Sequence, residues 1–364
     1  METSTLRRAL GSLAVCAAFA LIPFHSASAV TSIATDTTLE ADLFDNVVIV
    51  ADDVTLDCAG FSIIGFPPFD GVSLDSRSGV TIKNCTVTGF LNGISATGAS
   101  SLTVTDTTVE NNALSGMDIN TASTLSLSGD FTARGNGVFG VLMINNSTMT
   151  MTGANVQLYE NVGGMQISLG STLFVVAVPP APPTSILAEN NVNFGLTVVS
   201  SSHLFLFGSA SVVLQDNGSN GLSVFTQSAV ELDNGPSITA RRNAVNGILL
   251  EDSTLNMFNM PQFPGSSLVL RRNAEAGVSV GKASVFDMGS DASMVSRRNQ
   301  VGMLVDDGST ARLSDAIIRR NKRDLVLTFA ARAEFDGNNI GSLFCDETVL
   351  TRGDEQCPDD DGDD

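Results

Sequence analysis

Four pairs of arginines are the residues in this chain whose type and spacing suggest chemistry: Arg241 and Arg242, Arg271 and Arg272, Arg297 and Arg298, Arg319 and Arg320. Arginine presents a planar fork of donors that grips a carboxylate or sulfate through two hydrogen bonds. Each pair ends a short run of alternating character. That alternation points Ala240, Leu270, Ser296 and Ile318 inward, and so Arg241, Arg271, Arg297 and Arg319 outward. If successive runs stack, the arginines form a basic column with about 4.8 Å between neighbours. Like charges at that distance repel by roughly 1 kcal/mol per pair at high dielectric, so something must offset them. One reading is a polyanion along the column, an acidic polysaccharide or an anionic cell-surface polymer. The plainer reading is internal pairing with Glu251, Asp252, Glu275, Asp306, Asp307 and Asp315.

The charge is unevenly spread. Thirteen of the 19 Lys and Arg fall between Arg241 and Arg332, with nine acids, so that stretch carries +4 within a chain of net charge -20. The overall acidity argues against a nucleic-acid partner, whose phosphates it would repel, and favours solubility. There is no Trp, and Tyr159 is the single Tyr. A sugar site built on those amphipathic rings has few candidates.

The elements that must position the arginines are set by an internal repeat. Asn, three residues, Gly and an apolar residue recur at Asn112/Gly116, Asn136/Gly140, Asn191/Gly195, Asn217/Gly221, Asn243/Gly247 and Asn273/Gly277. Shorter versions stand at Asn161/Gly164 and Asn299/Gly302, and at Asn321 the Gly is replaced by Asp324. Successive asparagines are 24, 25, 30, 26, 26, 30, 26 and 22 residues apart. Each repeat holds three short alternating runs, the pattern of half-buried strands. One such unit cannot bury its apolar face alone, but stacked units can. The expectation is an all-β, right-handed parallel β-helix of about eleven coils. Asparagine tolerates left-handed backbone at sharp turns, and stacked amides can bond along an axis as a ladder. The Asn and Gly columns are therefore read as structural.

The longer repeats carry insertions, Val178 to Pro183 and Met260 to Gly265. Both fall between the third strand of one coil and the first of the next, and insertions on one side of a solenoid often frame a binding face. Val54 to Cys58 is similar to Val80 to Cys85 one coil on, and Ile33 to Val50 is read as an N-terminal cap.

The first 29 residues read as a signal peptide: Arg7 and Arg8, an apolar run from Ala9 to Phe24, then Ala27-Ser28-Ala29 as the small-residue cleavage pattern. A secreted, periplasmic or cell-surface protein follows, with no membrane span after signal removal. The mature chain keeps four Cys, and an even number in an exported chain suggests disulfides. Of three pairings, the one favoured is Cys58 with Cys85, about one coil apart, and Cys345 with Cys357, which closes a short loop; four unpaired thiols are the alternative. The β-helix domain is expected over 30–345, and 346–364 as an acidic, disordered tail. No cofactor is identified. The carboxylates after Cys357 make Ca²⁺ a candidate, without the full spacing of an EF-hand loop.

These repeats resemble the parallel β-helix repeat family, which includes pectate lyases, polygalacturonases, alginate epimerases and many secreted proteins of unknown role; the resemblance covers about Val47 to Asn339. Val54 to Gly65 also looks like the opening coil of periplasmic β-helix proteins associated with copper-enzyme maturation. The motifs imply the fold and say little of chemistry. The Gly-His-Gly motif of polygalacturonases and the His-containing acidic motif of alginate epimerases are missing. His203, the one His of the mature chain, aligns with Thr124, Thr148, Thr172 and Thr254 at a turn. Lyases of this fold use an Arg or Lys base with a cation on the uronate carboxylate, and no one coil stands out as having that set. The resemblance also implies a catalytic cleft on a face other than the Asn turn. The reading is a secreted binding protein for an anionic glycan, with a polysaccharide lyase, and a rigid surface spacer or adhesin, as alternatives.

Overall fold

The computed structural model describes residues 30–260 and 262–357. Short alternating strands wind into about twelve coils, close to the eleven expected, and the stacked strands pair in parallel. Three ladders result. Face one is a sheet of 14 strands running from Thr31–Ile33 to Leu343–Cys345. Face two runs from Thr37–Thr38 to Leu350–Gly353, and face three from Ser62–Ile64 to Asn339–Ile340. In the three coils that lead to Asn112, Asn136 and Asn161, single strands such as Thr124–Arg134 and Thr148–Tyr159 run through faces two and three, bent where the register shifts.

The period of two explains the core. In the coil before Asn243, Val230 and Leu232 point inward from face two and Ile238 and Ala240 from face three, all fully buried. Ile248 and Leu250 of face one close the triangle. The next coil puts Leu255, Met257, Leu268, Leu270, Val278 and Val280 on the same rows. A chain of three short strands thus gains a core only by stacking on its neighbours.

Two polar columns run inside the corners. Between faces three and one, Asn112, Asn136, Asn161, Asn191, Asn217, Asn243, Asn273, Asn299 and Asn321 stack. Each Nδ2 donates to the next Oδ1 and to a backbone carbonyl; Asn243 does so to Asn273 at 3.0 Å and to Leu214 at 3.1 Å. The column ends on Asp324, whose Oδ1 accepts from Asn321 in place of a further amide. The left-handed residue at this corner is not the Asn, as expected, but the one before it: Asn111, Glu160, Asn190, Asp216, Arg242, Arg272, Arg298 and Arg320 all have φ between 53° and 64°. The ladder Asn is left free to aim its amide along the axis. Between faces one and two, Ser123, Ser147, Ser171, Ser228, Ser284 and Ser309 form a buried hydroxyl column, several accepting from the backbone N–H of the preceding coil.

Both favoured disulfides form. Cys58–Cys85 ties adjacent coils from within the core, and Cys345–Cys357 closes the C-terminal loop. Closing a loop of 27 residues stabilises the fold by about 3 kcal/mol through the unfolded state. The segment read as a cap is itself a thin coil: Thr31–Ile33 pairs with Val47–Ile49, and Leu43 bridges Ile63. At the other end Leu350–Gly353 pairs with Arg332 to Phe335, so the first part of the segment read as an acidic tail is a strand of face two. Residues 1–29, read as the signal peptide, and 358–364, which hold the carboxylates of the Ca²⁺ reading, lie outside the described residues. Among the described residues no helix is long and apolar enough to cross a membrane.

Candidate anion-binding groove

The last residue of each face-three strand builds one column along the Asn corner: Glu110, Arg134, Tyr159, Glu189, Gln215, Arg241, Arg271 and Arg297 are successive partners in register. The left-handed residue that follows builds a second column beside it, ending in Arg242, Arg272, Arg298 and Arg320. Alternation is the reason for the first column, because Ala240, Leu270 and Ser296 are fully buried and their neighbours must face out. The second column holds arginine in a conformation that costs a side chain with a Cβ about 1 kcal/mol.

The two columns enclose a groove of about 310 Å³ lined by Arg241, Arg242, Arg271, Arg272, Arg297, Arg298 and Arg320. Arg319 lies outside it. The last repeat is short, Arg298 N–H bonds to the carbonyl of Arg320, and Arg319 lines an adjoining hollow with Asp324 and Asn339. The structure thus joins seven of the eight arginines in one groove.

Among the described residues, a carboxylate pairs with a groove arginine at one end only. Arg242 grips Asp216 through Nε at 2.7 Å and Nη2 at 2.6 Å, and Arg241 Nε donates to Gln215 at 2.6 Å. The hydrogen bonds from Arg242 hold the Asp216 carboxyl below its ordinary pKa, and the charge of Arg241 adds to the effect. Beyond that coil, Arg271, Arg272, Arg297, Arg298, Arg319 and Arg320 make no side-chain hydrogen bond or ion pair among the described residues. Arg297 Nε is shut off from solvent without a partner. Of the acids proposed for internal pairing, Glu251 stands at the far end of its face-one strand and is taken by Lys282, and none of Asp252, Glu275, Asp306, Asp307 or Asp315 bridges the column. A planar anionic group entering the groove meets guanidinium forks repeated coil by coil.

A family model described as a right-handed β-helix region matches residues 70–262, more than half of the chain. The chain belongs to the right-handed β-helix family. Among solved structures, this β-helix is similar to the A-module of mannuronan C-5 epimerase AlgE4 from Azotobacter vinelandii, at 14% identity over 86% of this chain and 91% of that one, with a TM-score of 0.55. A variant of the periplasmic alginate epimerase AlgG is 12% identical over 90% of this chain and 78% of that one, with a TM-score of 0.46. The enzymatically active domain of bacteriophage CBA120 tailspike protein 2 is 12% identical over 70% of this chain and 44% of that one, at a TM-score of 0.30. No curated protein matches the chain in sequence. At these identities the likeness shows the fold alone.

In this member of the family His203 is exposed and opens the strand His203–Gly208. Its register partners are Thr172 and Ala229, so it takes the place of the column threonine. Two features were missed in the sequence. One is the serine column, whose signal is Ser before Thr and an apolar residue at Ser123, Ser147, Ser171 and Ser253. The other is a set of outward phenylalanines on face two, Phe174, Phe205 and Phe207, visible as alternate positions of their strands.

Proposed function

We propose that this is a secreted, non-catalytic β-helix protein that binds an anionic polysaccharide or cell-surface polymer through the arginine groove. The observation that carries the reading is that five arginines of the groove on successive coils, Arg271, Arg272, Arg297, Arg298 and Arg320, make no side-chain hydrogen bond or ion pair among the described residues. Stacked cations repel and four of the second-column arginines sit in left-handed backbone, so the unliganded groove is held by the core beneath it. A chain of carboxylates or sulfates relieves the repulsion and makes charge-assisted bonds at the same time. The two disulfides support an oxidising compartment outside the cytosol. A polysaccharide partner is in keeping with a fold shared with a module named for a mannuronan epimerase.

A lyase would need its arginine base next to a cation held by carboxylates, and Asp324, the acid that shares a hollow with Arg297, Arg319 and Arg320, is turned to Asn321. That favours binding over cleavage. The test is binding of the purified mature chain to acidic and neutral polysaccharides at low and high salt. Acidic polymers bind, their affinity falls by about tenfold or more as salt rises, and their length is unchanged after incubation. Shortened polymer would establish the lyase. No binding to any acidic polymer would leave the solenoid as a spacer or adhesin.

A further inference from the structure

Face two lies across the core from the arginine groove and presents a different chemistry. One outward column reads, coil after coil, Phe174, Phe205, Glu231, Asn256 and Asp287. The column beside it places Asp233 between Phe207 and Phe258. Three of the rings are contiguous: Phe174 and Phe205 have centroids 5.9 Å apart, and Phe205 and Phe207 6.2 Å. Phe174 is 36% exposed and Phe258 51%. Partial burial pushes the Asp233 carboxyl above its ordinary pKa.

Three more observations point to an occupant. The insertions after Ala177 and Phe258 both leave the solenoid at the edge of this face, with Val178, Met260 and Phe263 exposed along them. The column runs into a hollow of about 470 Å³ lined in part by Phe258, Asp287, Arg312 and Glu334. Asp287 Oδ1 is buried there without a partner, while its Oδ2 accepts from Arg312 at 3.1 Å. From Thr172 to Phe258 the strands of face two contain no Lys or Arg, so nothing on the strip draws an anion.

We infer that this strip is a second ligand site, for a neutral or amino-sugar glycan lying along the solenoid axis. The apolar faces of sugar rings stack on Phe174 and Phe205. Hydroxyl or amino donors meet the carboxylates of Glu231 and Asp287, where charge-assisted hydrogen bonds are the strong ones. The coil spacing of about 4.8 Å is close to the length of one pyranose residue in an extended chain, so successive sugars meet successive coils. A protein partner fits less well, since the core of a protein interface is depleted of charge and here carboxylates interrupt the rings. The inference is independent of the arginine groove.

The test uses the whole mature chain and hexamers of (1→4)-linked glucose, N-acetylglucosamine and glucosamine, with titration at low and high salt. At least one hexamer binds, and a neutral one does so with little dependence on salt. Phe205→Ser weakens it by about tenfold, and Glu231→Gln weakens it as well, while both variants melt as the parent does and keep their affinity for acidic polymers. The inference is overturned if none of the three hexamers binds, or if binding is the same in Phe205→Ser and Glu231→Gln as in the parent.

Discussion

The N-terminal and C-terminal coils use one corner in two ways. From Glu110 to Gln215 the exposed column pairs with itself: Arg134 donates to Glu110, and Gln215 to Glu189. The left-handed column there is Asn111, Gly135, Glu160, Asn190 and Asp216, three of the five being Asn or Gly, the residues that accept that backbone most readily. From Arg241 onward the same two columns are arginine, unpaired after Arg242 and held in left-handed backbone. The core and the Asn ladder are alike in both halves, so the difference belongs to the surface. One half satisfies itself, and the other leaves its charge unpaired.

The comparison breaks first if the ladder is not common property. Asn161→Ala and Asn273→Ala each remove two donated bonds and two accepted from the coil before. Each should cost about 3 kcal/mol in denaturant unfolding, to within ~1 kcal/mol of one another. A much larger loss in one half would mean that the halves differ in their cores as well.

The N-terminal coils carry an uncompensated group of their own. Asp118, on face one, has a buried Oδ1 without a partner, and burial, with the charge of Asp70 second, pushes its carboxyl up to about 6. A raised carboxyl pKa stabilises the fold fully below the ordinary carboxylate range, and that contribution is lost as pH rises through about 6. Asp118→Asn should therefore raise stability at pH 8 by about 1 kcal/mol, discounted for its partial exposure, and change it little at pH 4. Melting curves of parent and variant that stay parallel across that range would rule this out.

A smaller effect sharpens the contrast at the corner itself. Arg272→Gly relieves left-handed strain and column repulsion, and should stabilise by about 1 kcal/mol. Asn190→Gly, at the equivalent place in the self-paired half, should stay within about 0.5 kcal/mol of the parent. Equal shifts in melting temperature for the two would show that the arginines carry no special strain.

Most of the fold was legible because a solenoid repeats its constraints. The period of two, the Asn column and the coil length each recur, so the strands, the inward rows and the coil-spanning disulfide followed from the residues. The arginine stripe was legible for the same reason, since Ala240, Leu270 and Ser296 fix their neighbours' direction. The pairing of those arginines was not. Glu251 lies at the far edge of face one, where Lys282 takes it, and which corner an acid occupies is not held in spacing alone. The left-handed position was misplaced by one residue, because Asn suits that backbone in general, while here its amide is needed for the ladder. The short last repeat, which carries Arg319 out of the groove, changes the register by one without leaving a mark in the alternation.

The central claim is that the unpaired arginines are an anion site. It is tested most directly by titrating an acidic polysaccharide, a polyuronate, at low salt into the mature chain and into a variant with Arg271, Arg272, Arg297 and Arg298 replaced by Gln. The expected result is a loss of affinity of about 100-fold or more with a melting temperature equal to or above that of the parent. Equal affinity in the two proteins, or no binding by the parent, would contradict it.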